Sequence, residues 1–142
     1  MALNVLVVDD SAVMRAMVIK TLRLSGLPLG EVHEASNGEE ALRQLDAHWI
    51  DLALIDLNMP VMDGEALLAC LRRNPETAQL PVIVVSTEGS TTRIEALRRQ
   101  GAAFVHKPFT PEQLRGVILE VTGVADASDL DEGLGPGCGP DF

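Results

Sequence analysis

At 142 residues the chain has room for one domain built around one continuous core. Apolar residues make up 46%, but no apolar run reaches the roughly 18 residues that span a bilayer, and the N-terminus lacks a secretory signal, so a cytoplasmic setting without membrane contact is expected. The formal net charge of −10, with no basic stripe and no aromatic platform, argues against direct binding of nucleic acid.

In chain order, Leu3 to Val8 is a continuous valine-rich apolar run, which predicts a strand buried on both faces, and Asp9-Asp10 follow it directly. Ser11 to Ser25 carries Met14, Met17, Val18 and Leu22 at helical spacing and stops at Gly26. Glu31 to Ala35 is short and half apolar and predicts a second strand. Asn37 opens a capped helix with Glu39 and Glu40 in its first turn, where the helix dipole favours acids. Leu52 to Ile55 predicts the next buried strand, with Asp56 immediately after it.

Gly64 to Arg73 predicts a helix with Leu67, Leu68 and Leu71 on one side, broken by Asn74-Pro75. Pro81 to Val85 predicts a strand, followed by Ser86; proline is tolerated at a first strand position. Thr91 to Gln100 predicts a helix with little apolar content (Ile94, Ala96, Leu97), closed by Gly101. Ala103 to His106 is a short strand ahead of Lys107. A last helix runs through Val121, with Thr110 as N-cap, Pro111 at its first position and Gln113 completing a capping box.

Five β-α units in succession predict a single five-stranded parallel sheet with helices on both faces, residues 1–123 forming one domain. Residues 124–142 hold five acids and no Lys or Arg and are rich in Gly and Pro, so this acidic tail is expected to be disordered. Cys70 falls in an apolar helical stretch and Cys138 in the tail, and the three histidines, His33, His48 and His106, show no metal-ligand spacing.

Four of the predicted strands end in a polar group: Asp9-Asp10, Asp56, Ser86 and Lys107. Each has an ordinary explanation, such as a helix cap, a turn residue, a loop hydroxyl or a surface charge. A parallel sheet places all four at one edge, where such folds bind ligands. Three carboxylates there repel one another unless a cation is present, and Mg²⁺ suits oxygen ligands that include carboxylates and phosphate. A carboxylate can attack phosphorus to give an aspartyl phosphate, with the metal, an ammonium and a hydroxyl neutralising the phosphoryl oxygens.

Taken together, Asp9-Asp10-Ser11, the segment from Asp56 to Gly64 (DLNMPVMDG), Pro81 to Ser86 (PVIVVS) and Lys107-Pro108-Phe109 resemble the response-regulator receiver domain of two-component signalling. The resemblance covers about residues 3 to 122 and is nearest to the stand-alone, chemotaxis-type receivers. It implies a flavodoxin-like (βα)5 fold with strand order 2-1-3-4-5. It implies Asp56 as the phospho-acceptor, taking its phosphoryl group from a sensor histidine kinase or a phosphotransfer protein. Asp10 and Asp56 would be direct Mg²⁺ ligands, Asp9 would act through water, the Asn58 backbone carbonyl would complete the shell, and Mn²⁺ could substitute. Lys107 would pair with a phosphoryl oxygen, and Lys107-Pro108 would be a cis peptide.

By the same resemblance Ser86 is the hydroxyl that senses the phosphoryl group and Phe104 the aromatic switch. Thr87 stands where the family usually has Ala or Gly, which would restrict access to the acyl phosphate. Asn58 and Glu88 match a pairing found in fast self-dephosphorylating members. No enzyme activity on an external substrate is implied. The output would pass through the face built from Thr91–Gln100, Ala103–His106 and the last helix, to a downstream protein or a second copy of the chain. A phosphorelay intermediate and a phosphorylation-independent binding module are the alternatives. A haloacid-dehalogenase-type phosphatase would want Asp at position 58, and an FMN protein a hydroxyl-rich loop after the first strand.

Overall fold

A computed structural model describes residues 2–57, 64–87 and 91–123. Its elements alternate along the chain: β1 (Leu3–Val8), α1 (Ala12–Leu24), β2 (Leu29–Ala35), α2 (Gly38–Ala47), β3 (Leu52–Asp56), α3 (Gly64–Arg73), β4 (Val82–Ser86), α4 (Thr91–Arg99), β5 (Ala103–His106) and α5 (Pro111–Thr122). The five strands form one parallel sheet in the order β2-β1-β3-β4-β5.

The sheet divides the core in two. Leu6, Val8, Ala53, Ile55, Val82 and Val84 point to the side covered by α2, α3 and α4, where Ala41, Leu67, Leu68, Leu71 and Leu97 meet them. The alternate residues Val5, Val7, Leu52, Leu54, Ile83, Val85 and Val105 face α1 and α5 through Val18, Leu22, Leu114 and Ile118. Two-sided burial is why the central strands read as unbroken apolar runs. In α4, Leu97 is the one buried residue, in keeping with its thin apolar content.

Several boundaries differ by a residue or two from the sequence expectation. Ser11 and Ser25 cap α1 from outside, the Ser11 hydroxyl accepting from the Met14 N–H at 3.2 Å. Strand β2 starts at Leu29 rather than Glu31, because a register shift lets Asn4 absorb an extra residue: its side-chain oxygen accepts the Glu31 N–H at 2.9 Å. Strand β4 runs one residue later than expected and includes Ser86, while β3 includes Asp56. Helix α4 ends at Arg99, one residue early, and α5 extends one residue further, to Thr122. The α5 capping box is present as expected, and the Lys107–Pro108 peptide is cis.

One partly buried cation organises the opposite end of the molecule from Asp56. The Arg72 guanidinium, at the end of α3, donates to the carbonyl oxygens of Gln100 (2.6 Å), Leu80 (2.8 Å), Ala78 (3.2 Å) and Thr77 (3.3 Å). It thereby joins the α3–β4 loop to the turn after α4. Partial burial lowers its pKa below the usual guanidinium range.

Candidate phosphoryl and metal site

The C-terminal ends of β1, β3, β4 and β5 bring the predicted groups together. Carboxylate oxygens of Asp9, Asp10 and Asp56 all lie within 4.8 Å of one another. The Lys107 ammonium sits 3.6 Å from Asp56 Oδ1 and 3.7 Å from Asp9 Oδ2. These three side chains are only 5–16% exposed, whereas Asp10 is open to solvent. Three carboxylates facing one ammonium leave a local excess of negative charge in a partly desolvated place.

Backbone ties hold these groups in register. The Asp9 N–H donates to the Ala35 carbonyl at 3.0 Å, and the Lys107 N–H to the Ser86 carbonyl at 2.9 Å. The Asp9 carboxylate accepts the Ser11 N–H at 2.9 Å, so it belongs both to the site and to the start of α1. Arg15, one turn into α1, donates to the Asp9 carbonyl at 2.6 Å and to Glu34 at 2.8 Å, clamping the loop that carries both acids. Sequence reasoning did not single out Arg15, since nothing in its spacing marks it.

It also read Gly64 only as a helix start. A Cβ there would come within 2.7 Å of the Asp56 carbonyl oxygen and 2.9 Å of Leu57 Cα. Glycine is required because α3 begins directly against the strand end that carries Asp56, and the Gly64 N–H donates to the Leu57 carbonyl at 2.9 Å.

Ser86 is fully buried at the last position of β4, beside Asp56 on β3 through the Asp56–Val85 register pair. Thr87 is exposed, and with Met14, Met17, Thr21, Pro108 and Phe109 it lines an apolar hollow of about 320 Å³ next to Lys107. Phe104 is half-buried, packs against the core on the α4 side of the sheet and stands edge-on to His106 with ring centroids 6.3 Å apart. Asn58, Glu88 and the tail from residue 124 lie outside the described residues. Two of the histidines depart from expectation: His33 and His48, which show no metal-ligand spacing in the sequence, are stacked with ring centroids 3.9 Å apart.

The donor set Asp9, Asp10 and Asp56 consists of hard oxygen ligands, with Asp10 open to solvent, which fits a small divalent cation such as Mg²⁺. Asp56 Oδ1 combines partial burial with a neighbouring ammonium, a setting suited to receiving a phosphoryl group.

Comparison with known proteins agrees with this picture. A family model described as the response regulator receiver domain matches residues 5–119. The chain is 38% identical over 126 residues to chemotaxis protein CheY1 of Helicobacter pylori, covering 87% of this chain and all of that protein. Among solved structures, it is similar to chemotaxis protein CheY4 of Vibrio cholerae, with a TM-score of 0.75 and 34% identity over 85% of this chain and 99% of the other. It is also similar to a chain of the CheX–CheY–beryllofluoride–magnesium complex of Borrelia burgdorferi, with a TM-score of 0.75 and 26% identity over 84% and 88% of the two chains.

Proposed function

The chain belongs to the response regulator receiver domain family, with chemotaxis regulators among its relatives, and from that premise we propose that it is a switch thrown by phosphorylation of Asp56. A carboxylate oxygen of Asp56 attacks the phosphorus of a phosphohistidine on a sensor kinase or phosphotransfer protein. The P–N bond breaks, its electron pair returns to the imidazole, and an aspartyl phosphate is left on this chain. The approach of Lys107 to within 3.6 Å of Asp56, inside the cluster of three carboxylates, is the observation that carries this reading.

In this assignment Asp10 and Asp56 would hold Mg²⁺ (or Mn²⁺) directly, Asp9 would act through water and the Asn58 backbone carbonyl would contribute to the site. Bound there, the cation supplies positive charge to the phosphoryl oxygens. Lys107 pairs with one of those oxygens and orients it. The Ser86 hydroxyl, on a strand end beside Asp56, donates to another, drawing in the loop that continues into Thr87. Phe104, half-buried beneath α4, turns further inward as that loop moves, and the α4-β5-α5 face changes shape for a downstream protein or a second copy of the chain. Thr87, Asn58 and Glu88 set the lifetime of the acyl phosphate through access of water.

Two further observations support partners. The apolar hollow beside Lys107, with exposed Val13 and Met17 nearby on α1, is suited to a phosphodonor protein that must approach Asp56 closely. The Borrelia receiver captured in a complex with CheX, beryllofluoride and magnesium supports both the metal and a protein partner. Residues 1–123 act as the receiver, and the acidic segment 124–142 lies beyond it. A cytoplasmic setting follows from such partners, and no helix among the described residues is long and apolar enough to cross a membrane.

The test is direct. With acetyl phosphate and Mg²⁺ the chain should gain the mass of one phosphoryl group, and Asp56→Asn should gain none. Uptake of one phosphoryl per chain by Asp56→Asn refutes the assignment. Beryllofluoride with Mg²⁺ should shift amide signals in α4 and around Phe104; unchanged signals there refute the switch.

A further inference from the structure

Glu31, His33 and His48 form a second cluster of metal-ligating side chains, away from the acidic edge. One donor atom from each lies within 4.8 Å of the others, and His33 Nε2 is 3.0 Å from Glu31 Oε1. We propose that these three residues bind one borderline-soft divalent cation, Zn²⁺ or a neighbour such as Ni²⁺ or Cu²⁺, with water in the fourth position. His₂Glu with an open position is an established ligand set for zinc, and imidazole selects these metals over Mg²⁺.

The backbone holds all three positions independently of any metal. Residues 31 and 33 share one face of β2 by strand alternation, and the register shift beside them is pinned by the Asn4 side chain. His33 lies in the ladder opposite Leu6 of β1, one of the sheet's inner strands. His48 is the C-cap of α2: its N–H donates to the Gln44 carbonyl at 3.0 Å, and its extended backbone turns the side chain off the helix axis toward β2.

Bonds of about 2.0–2.1 Å in a tetrahedral shell place neighbouring ligand atoms about 3.3–3.4 Å apart. The His33–Glu31 separation of 3.0 Å is near that edge already. The two imidazoles are inclined by only 20°, so their nitrogens lie side by side rather than converging. Convergence needs a rotation of the His48 ring alone, which is exposed, while His33 stays packed with its side chain 17% exposed. The site therefore joins the edge strand, through Glu31 and His33, to the end of α2, through His48.

The chain contains its own reporter. Trp49, its single tryptophan, is adjacent to His48, 78% exposed, and hydrogen-bonded through Nε1 to Asp51 at 2.9 Å. The experiment uses full-length protein carrying Cys70→Ser and Cys138→Ser, so that thiols do not compete, with Mg²⁺ in excess to fill the acidic edge. Titration calorimetry should show one equivalent of Zn²⁺ bound, with shifts confined to the His33 and His48 ring nitrogens in ¹⁵N spectra. Cu²⁺ should quench Trp49 emission with an end point at one equivalent. His48→Ala, which alters an exposed ring, should abolish both responses, and His33→Asn should do the same while leaving Mg²⁺-dependent phosphorylation unchanged. Zinc binding that persists at the same strength in the His33→Asn/His48→Ala double variant overturns the proposal. So does the absence of any zinc-dependent shift in the two rings, or binding that appears only together with a dimer in sedimentation.

Discussion

Asp56→Asn should make the protein more stable when divalent cations are removed. Asparagine keeps the shape and one acceptor oxygen of aspartate but drops its charge. Among the described residues Asp56 faces two carboxylates within 4.8 Å and one ammonium at 3.6 Å, so that within this group two repulsions oppose one attraction. Coulomb's law gives a net repulsion of about 0.5 kcal/mol at a water-like dielectric and about 2 kcal/mol at the value of about 20 typical near protein surfaces. With a urea m-value of about 2 kcal/mol/M, the unfolding midpoint should rise by roughly 0.3–1 M in EDTA, read by circular dichroism. The gain should shrink in high salt, which screens the exposed Asp10. It should shrink again with Mg²⁺, which stabilises the wild type by binding its folded form. A lower midpoint for Asp56→Asn in EDTA, or a gain indifferent to Mg²⁺, would refute the claim that carboxylate crowding costs this fold stability.

Gly64→Ala should destabilise by about 1–3 kcal/mol, because the new Cβ meets backbone atoms of Asp56 and Leu57, and it should slow phosphorylation by acetyl phosphate as Asp56 shifts. Arg72→Met should cost at least about 1–3 kcal/mol, since four carbonyl oxygens lose a shared donor, and hydrogen exchange should quicken around Gln100 to Ala102. Glu40 makes a pH prediction. The Ser36 N–H, donating to its carboxylate at 2.8 Å, holds its pKa below the ordinary 4.5, with Arg43 and Arg15 adding to the effect. Its contribution to stability is thus complete above 4.5 and lost as pH falls through the folded value. Glu40→Gln should flatten the acid limb of the stability curve, and ¹³C titration of the carboxyl should show the depressed pKa directly.

Much of the fold was legible along the chain because its signals are local. Unbroken apolar runs mark strands covered on both faces, and the caps at Asn37 and Thr110 act within one helical turn. The boundaries that moved are those set by pairing. Strand β2 begins early because Asn4 on the neighbouring strand accommodates a register shift, a contact with no trace in the 31–35 segment. The acidic edge was legible for a different reason: a parallel sheet sends the ends of all its strands to one side, so Asp9, Asp10, Asp56, Ser86 and Lys107 were bound to share it once the strands were known.

Long-range packing decided the rest. Gly64 is dictated by the close approach of α3 to the end of β3, and Arg72 by two loops that meet around it. His33 and His48 show no metal-ligand spacing in the sequence because their meeting depends on how the end of α2 lies over an edge strand. Periodicity and the order of residues specify which face of an element is apolar and which group ends it. The distances that turn such groups into a site come from the register of strands and the seating of helices, where hydrophobic burial and hydrogen-bond satisfaction are settled between segments far apart in the chain.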